Sequence, residues 1–354
     1  MTTLFTPLRL EGLELPNRIL MAPLTRCRAT ADHVPTPLMA THYAQRASAG
    51  LLIAEATMVA EGHSAFIREP GIYNEAQVEA WRQVTDAVHD AGGRIVLQIW
   101  HGGRACHSLL NGGHQPVAPS PLAIHGDGIH TPEGKQPYEV PRELSDAEIP
   151  GIVAAFRQAA ERAVRAGFDG VEIHGANGYL LDQFLRDGSN QRQPPYGGSM
   201  ANRARLLLEV LAAVRQCCPL VGLRLSPLNS FNAMVDSDPV GLASWLAEQL
   251  NDQGLAYLHV MRADMAGLQT GDLLGPMRER FRGVLVANMG YDAAEAEAAV
   301  AAGAVDAVAF GHAFLANPDL PLRIAQGSPL NSPDPSTFYT PGAEGYTDYP
   351  TLQS

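Results

Sequence analysis

Lysine is almost absent from this chain of 354 residues: Lys135 stands alone, and the remaining positive charge is arginine. That removes Schiff-base chemistry at a buried lysine, because Lys135 lies in a Gly- and Pro-rich stretch and not at the end of any apolar run. Cysteine is scarce as well. Cys27, Cys106, Cys217 and Cys218 make no CxxC pair and no ligand array with histidine, which excludes a zinc or iron–sulfur site of ordinary spacing. His101, His107 and His114 share a Gly-rich loop without carboxylate companions and read as loop residues, not as a metal set. No stretch approaches the roughly 18 apolar residues a membrane span needs, and the start Met1-Thr2-Thr3-Leu4-Phe5 has no basic region. The expectation is a cytoplasmic protein with no membrane partner. A formal charge of -12 argues against nucleic acid, whose phosphates call for a basic footprint.

What is present is a recurring unit. Short β-rich runs occur at Arg18–Met21, Leu51–Ala56, Arg94–Ile99, Gly170–Ile173, Val221–Leu225, Tyr257–Val260, Val284–Ala287 and Ala307–Phe310. Stretches of helical period lie between them, at Asn74–Asp90, Ser145–Arg165, Asn202–Gln216, Asp238–Asn251, Asp292–Ala301 and Pro318–Ala325. Ser145-Asp146-Ala147-Glu148 has the form of a capping box, and Gly167, Gly254 and Gly303 are C-terminal stops. Alternating strand and helix imply parallel strands with right-handed crossovers. Eight units predict an α/β fold of one domain, a (β/α)8 or TIM barrel over residues 1–354. An open doubly wound sheet would carry a glycine fingerprint after its first strand, and here that strand runs into Ala22-Pro23-Leu24-Thr25. The segment of about 102–141 after the third strand is too long for an ordinary connection and predicts a lid. A C-terminal tail of about 328–354 is expected to contribute to the pocket.

In such barrels the chemistry sits at the C-terminal strand ends. These ends carry Pro23-Leu24-Thr25, Ala56, Gln98-Ile99-Trp100, His174, Arg224, Arg262, Asn288-Met289-Gly290 and Gly311-His312. The fourth run continues as His174-Gly175-Ala176-Asn177-Gly178-Tyr179. His174 and Asn177 can both donate to one oxygen, and Tyr179 can release a proton nearby. Such a trio suits polarising a carbonyl or nitro group while protonating an adjacent carbon. Taken alone, the segment reads equally as a strand-to-helix turn with His174 satisfied in the packing.

Over Leu4 to Pro350 the chain resembles the old yellow enzyme family of FMN-dependent ene-reductases, in the branch that also reduces nitrate esters and nitroaromatics. The resemblance rests on Asn17 to Arg26, Gln98 to Arg104, His174 to Leu185, Asn202-Arg203, Leu223 to Pro227, Asn317 to Leu320 and Gly345 to Pro350, all in family order. It implies tightly bound, non-covalent FMN, and NADPH or NADH as reductant. The implied partner is a small electrophilic alkene or nitro compound, and the implied assembly a monomer or homodimer. His174, Asn177 and Tyr179 would be catalytic. Pro23, Leu24 and Thr25 would lie against the flavin, Ala56 and Gln98 at its edge, and Arg224 beside N1 and O2. Asn288, Met289, Gly290, Gly311 and His312 would receive the phosphate, while Trp100 and Tyr346 would wall the substrate pocket. Phe66, Ile67 and Arg262 are weaker rim candidates. One position departs from the family pattern: an arginine usually follows the glycine after strand eight, and this chain has His312. The implied reaction is ping-pong reduction of α,β-unsaturated carbonyls, imides or nitroalkenes. Reductive denitration as the main activity and a non-catalytic flavin-binding barrel are the alternatives.

Overall fold

A computed structural model describes residues 2–352; the first residue and the last two of the expected tail lie outside the described residues. Eight parallel strands close into a barrel: β1 (Ile19–Met21), β2 (Leu51–Met58), β3 (Ile95–Trp100), β4 (Gly170–Gly175), β5 (Val221–Leu225), β6 (Tyr257–Met261), β7 (Leu285–Asn288) and β8 (Ala307–Phe310). Each pairs with its sequence neighbours, and β8 returns to β1 with Val308 opposite Ile19. Helices α1 (Pro37–Ala44), α2 (Glu75–Asp90), α3 (Ile149–Arg165), α4 (Arg205–Arg215), α5 (Pro239–Gln249), α6 (Leu274–Arg280), α7 (Ala293–Ala301) and α8 (Leu320–Gln326) complete the eight units. All eight expected strands are present, displaced by at most two residues at an end. None of the helices among the described residues is long and apolar enough to cross a membrane.

The strands are buried on both faces, so they read as apolar runs and not as alternation. The period of two is nevertheless there. Outward side chains such as Leu52, Leu97, Ile173, Leu223, Leu258 and Val308 join the helices in one core. Inward ones split into two levels. Leu20, Leu51, Ile53, Val96, Tyr257, Val286 and Ala307 fill the lower barrel, closed beneath by Leu8, Leu10 and Leu15 of an N-terminal hairpin. Gly222 leaves the room that the Tyr257 ring occupies: a Cβ there would stand 2.2 Å from it. Above that level the inward residues turn polar, with Gln98, Glu172, His174, Arg224, His259 and Asn288 all buried. A register shift between Ala54 and Thr57 interrupts β2 as it reaches this height.

Two local readings of the sequence are corrected. Ser145 and Glu148 bond each other, but as a turn before α3, which starts at Ile149. The reciprocal capping box is instead at Asn74 and Gln77, opening α2. The stretch Asn202–Gln216 is two helices, Met200–Arg203 and α4.

The tail is held by arginines from the first βα loop. Arg26 donates to the carbonyls of Phe338 and Gly345. Arg28 donates to those of Thr337, Phe338, Gly342 and Glu344. Both guanidinium groups lie over the Tyr346 ring, at 5.1 and 4.7 Å from its centroid. Arg28→Met strips donors from four tail carbonyls at once, and that of buried Thr337 costs about 1–3 kcal/mol when orphaned. Residues 335–350 of that variant should exchange amide hydrogens much faster than wild type while the barrel strands keep their protection, a contrast that mass-spectrometric exchange resolves directly.

Candidate active site

A cavity of about 360 Å³ opens at the C-terminal strand ends. Its wall includes Pro23, Leu24, Thr25, Ala56, Gln98, His174, Asn177, Tyr179, Arg224, Asn288, Met289, Gly290, Gly311 and His312. Fourteen of the sixteen expected site residues thus meet in one space. Trp100 and Tyr346 do not line it. Trp100 is wholly buried behind Tyr179, edge-on to its ring with centroids 4.3 Å apart. Tyr346 is wholly buried too, stacked on His42 at 3.9 Å beneath the tail. The aromatic walls are Phe66, Phe231, Tyr291, Phe310 and Tyr339 instead. Of the rim candidates, Phe66 lines the cavity, Ile67 lines a neighbouring one, and Arg262 is spent elsewhere. Arg262 is paired with Glu295, bonded to the Met289 carbonyl at 2.8 Å and stacked on Tyr291 at 3.6 Å.

The neighbouring cavity, about 600 Å³, is lined by Ile129, His130 and Tyr138 of the 102–141 segment and shares Phe66, Tyr179, Phe231 and Tyr339 with the first. Within that segment, the hairpin Gly128–Thr131 and Gly134–Pro137 supplies Gly128, Ile129 and His130 to this wall.

Asn177 and Tyr179 come from one loop with a constrained backbone, just past His174 on β4. Asn177 and Gly178 are both left-handed, at φ +59 and +72. A Cβ on Gly178 would meet Asn232 and Met234 side chains at 2.7 Å, so only glycine fits there. Asp182 accepts the Gly178 amide at 2.8 Å, and Gln183 donates to its carbonyl at 2.7 Å. The Asn177 amide donates to Ser226 Oγ at 2.7 Å, and its side-chain Oδ1 accepts from Asn229 Nδ2 at 2.9 Å. Its Nδ2 is therefore the end left for a ligand. His174 Nδ1 is buried without a partner, which leaves Nε2 to the cavity. Burial, and then the nearby Arg224 and His259, hold the imidazole well below its usual pKa, so it is neutral. Burial pushes the Tyr179 hydroxyl well above the usual phenol value, so it stays protonated.

Beneath this trio lies the polar level of the barrel. Glu172, with no exposed surface, accepts from His259 Nδ1 at 2.9 Å and from Gln98 Nε2 at 2.8 Å. Burial raises its carboxyl, but His259 and Arg224 outweigh that and hold it below the usual value. Arg224 donates to Asn288 Oδ1 at 3.0 Å, and its Nε is buried with no partner. Asn288 in turn donates to the Ala309 carbonyl at 2.9 Å, tying β5, β7 and β8 together. Past Asn288 the chain turns through Met289 and Gly290 at φ +92 and +72 and meets Gly311 and His312, where a short helix, His312–Ala316, begins. His312 lies 5.6 Å from the Phe338 ring.

A neutral imidazole donor, a fixed amide donor and a protonated phenol thus face one space over a buried cation. The model of the NADH:flavin oxidoreductase / NADH oxidase family matches residues 3–331. The chain belongs to the old yellow enzyme family. One relative, from Leishmania infantum and described as a probable flavin mononucleotide-dependent alkene reductase, is 51% identical over 98% of this chain and 96% of its own. Rice 12-oxophytodienoate reductase 1 is 45% identical over 99% and 93%. Among solved structures, morphinone reductase superposes with a TM-score of 0.96 at 47% identity over 100% of this chain and 97% of its own. The old yellow enzyme from Trypanosoma cruzi gives 0.96 at 46% over 99% of each. The protein is thus an oxidoreductase of a family defined by flavin and a nicotinamide reductant.

The residues present fit an old yellow enzyme's FMN. Arg224 keeps a buried cation with an orphaned Nε, and a Cβ added to Gly311 would touch only the Leu24 side chain, at 3.7 Å, leaving backbone open there. The neutral state of His174 can be read directly. Histidine ¹⁵N spectra should contain one imidazole, missing from His174→Asn, that does not titrate between about pH 6 and 8; a midpoint inside that window would remove the neutral donor.

Proposed function

We propose that this protein reduces activated alkenes, namely α,β-unsaturated carbonyls, imides and nitroalkenes, at the expense of NADPH or NADH in the cytosol. The observation that carries the reading is the convergence of His174, Asn177 and Tyr179 on one cavity above buried Arg224. Bound FMN would supply the two-electron relay between nicotinamide and alkene. Pro23, Leu24 and Thr25 would contact its ring, Ala56 and Gln98 its edge. Gln98 gives its Nε2 to Glu172, which leaves Oε1 to accept a ring N–H. Arg224 would favour negative charge on the reduced ring. Asn288, Met289, Gly290, Gly311 and His312 would hold the phosphate, largely through backbone amides.

His174 Nε2 and Asn177 Nδ2 would donate to the substrate's activating oxygen and draw electron density from the alkene. As a hydride equivalent reaches the β-carbon, the Tyr179 hydroxyl would protonate the α-carbon. Burial keeps that proton in place at alkaline pH. Phe66, Phe231 and Tyr339 would exclude water from the reacting carbons.

The decisive test is anaerobic. NADPH should bleach the flavin band of the purified holoprotein, and 2-cyclohexenone should restore it. Bleaching without restoration would leave a flavoprotein that does not reduce alkenes. His174→Ala should slow restoration by about 10²–10³, the cost of one oxyanion donor. Tyr179→Phe should cost less where water can protonate the product. A separate prediction concerns His312, which cannot match arginine's permanent bidentate charge. His312→Arg should tighten FMN retention, which equilibrium dialysis of FMN against the two proteins checks.

A further inference from the structure

The donor end of Asn177 is chosen by a residue outside the cavity, and we infer that Asn229 is a positioning residue that fixes which atom Asn177 shows the substrate. This rests on the reading of Asn177 as a donor to the substrate oxygen. The argument starts from a group whose polarity has no alternative. The backbone amide of Met265 can only donate, and it lies 3.2 Å from Asn229 Oδ1. The atom facing it must be the carbonyl oxygen, so the other end of Asn229 is the NH₂ group. That group points at Asn177, 2.9 Å away, and the atom receiving it must be Oδ1. Nδ2 of Asn177 is then the end turned to the cavity. Reverse either side-chain amide and two donors or two acceptors face each other across Asn229, which has no exposed surface.

Asn229 is itself immobile. Its amide donates to the Ser226 carbonyl at 3.0 Å, and its carbonyl accepts from Arg186 Nη2 at 3.4 Å. Ser226 Oγ holds the Asn177 backbone, so both halves of Asn177 hang on the β5 loop. Ser230 next door donates to Asp264 Oδ1 through its amide and its hydroxyl, both at 2.8 Å. Asp264 also accepts the amides of Leu268 and Gln269 and so shapes the loop that carries Met265. Met265 is 57% exposed and lines the cavity mouth. The β6 loop thereby sets the polarity of a β4 donor through one β5 asparagine. Loss of Asn229 would let the Asn177 amide turn and offer its oxygen, an acceptor, where the substrate carbonyl needs a donor.

The test uses the FMN holoenzyme with two neutral probes: the dissociation constant of cyclohexanone, read from perturbation of the flavin spectrum, and KM and kcat for 2-cyclohexenone. Asn229→Leu, Asn177→Ala and the double variant complete a cycle. Asn229→Leu should weaken cyclohexanone about tenfold, the worth of one well-aligned hydrogen bond, and should raise KM more than it lowers kcat. With Asn177→Ala already in place, it should add less than about twofold, because its effect passes through that amide. Unchanged binding, or equal weakening in both backgrounds, overturns the inference. If Asn177→Ala itself leaves binding unchanged, the donor reading of Asn177 falls instead.

Should Asn229→Leu fail to fold, Asn229→Asp decides. A protonated carboxyl can accept from Met265 and donate to Asn177 as asparagine does, whereas the ionised form cannot donate. The charged groups around the position are Arg186, paired with Asp182, and Asp264. The affinity ratio of Asn229→Asp to wild type should approach one at acid pH and fall as pH rises. A ratio independent of pH overturns the inference, since a purely structural defect has no reason to titrate with one carboxyl.

Discussion

A carboxylate without access to water sits at the centre of the polar half of this barrel. Glu172 would be costly to bury alone, and His259, Gln98 and Arg224 surround it with one hydrogen bond from each of two strands and a cation from a third. Two of those partners, Gln98 and Arg224, also line the cavity. Gln98 is oriented because Glu172 takes its NH₂ group, and Arg224 keeps its charge because a carboxylate lies near. His174 is neutral in part because Arg224 is a cation. The buried anion thus orients Gln98 and supports the charge on Arg224, while burial first and Arg224 second keep His174 neutral.

Much of this is legible in the amino-acid sequence itself. The eight strands were legible because each is a short apolar run bounded by turn residues, and the barrel rule then picked out strand ends where Gln98, His174, Arg224 and Asn288 stand. Glu172 and His259 escaped notice for the same reason. Each is a lone polar residue inside an apolar run, and its meaning depends on register: Glu172 stands opposite Gln98 on one side and Gly222 on the other. Only the closed sheet shows that these charges share a layer.

The tail was less legible still. It has no helical or strand period, so nothing local distinguishes Tyr346 from Tyr339. Their exchange of roles is set at long range, by Arg26 and Arg28 gripping backbone carbonyls on both sides of the Tyr346 ring. Trp100 differs for a related reason. It ends β3 at the right height, but it packs edge-on against Tyr179 and lies behind that ring, outside the cavity wall. Asn229 likewise gives no signal in sequence, where it is one asparagine in a polar loop.

The arginine grip between residues 26–28 and 337–345 also has a temporal meaning. The barrel cannot close before β8 reaches β1, and Tyr339 cannot take its place in the wall until the tail has been made. On a ribosome, the first βα loop therefore emerges early with its guanidinium groups unmatched and waits for nearly the whole chain. The wall of the cavity is thereby completed only when translation is almost finished.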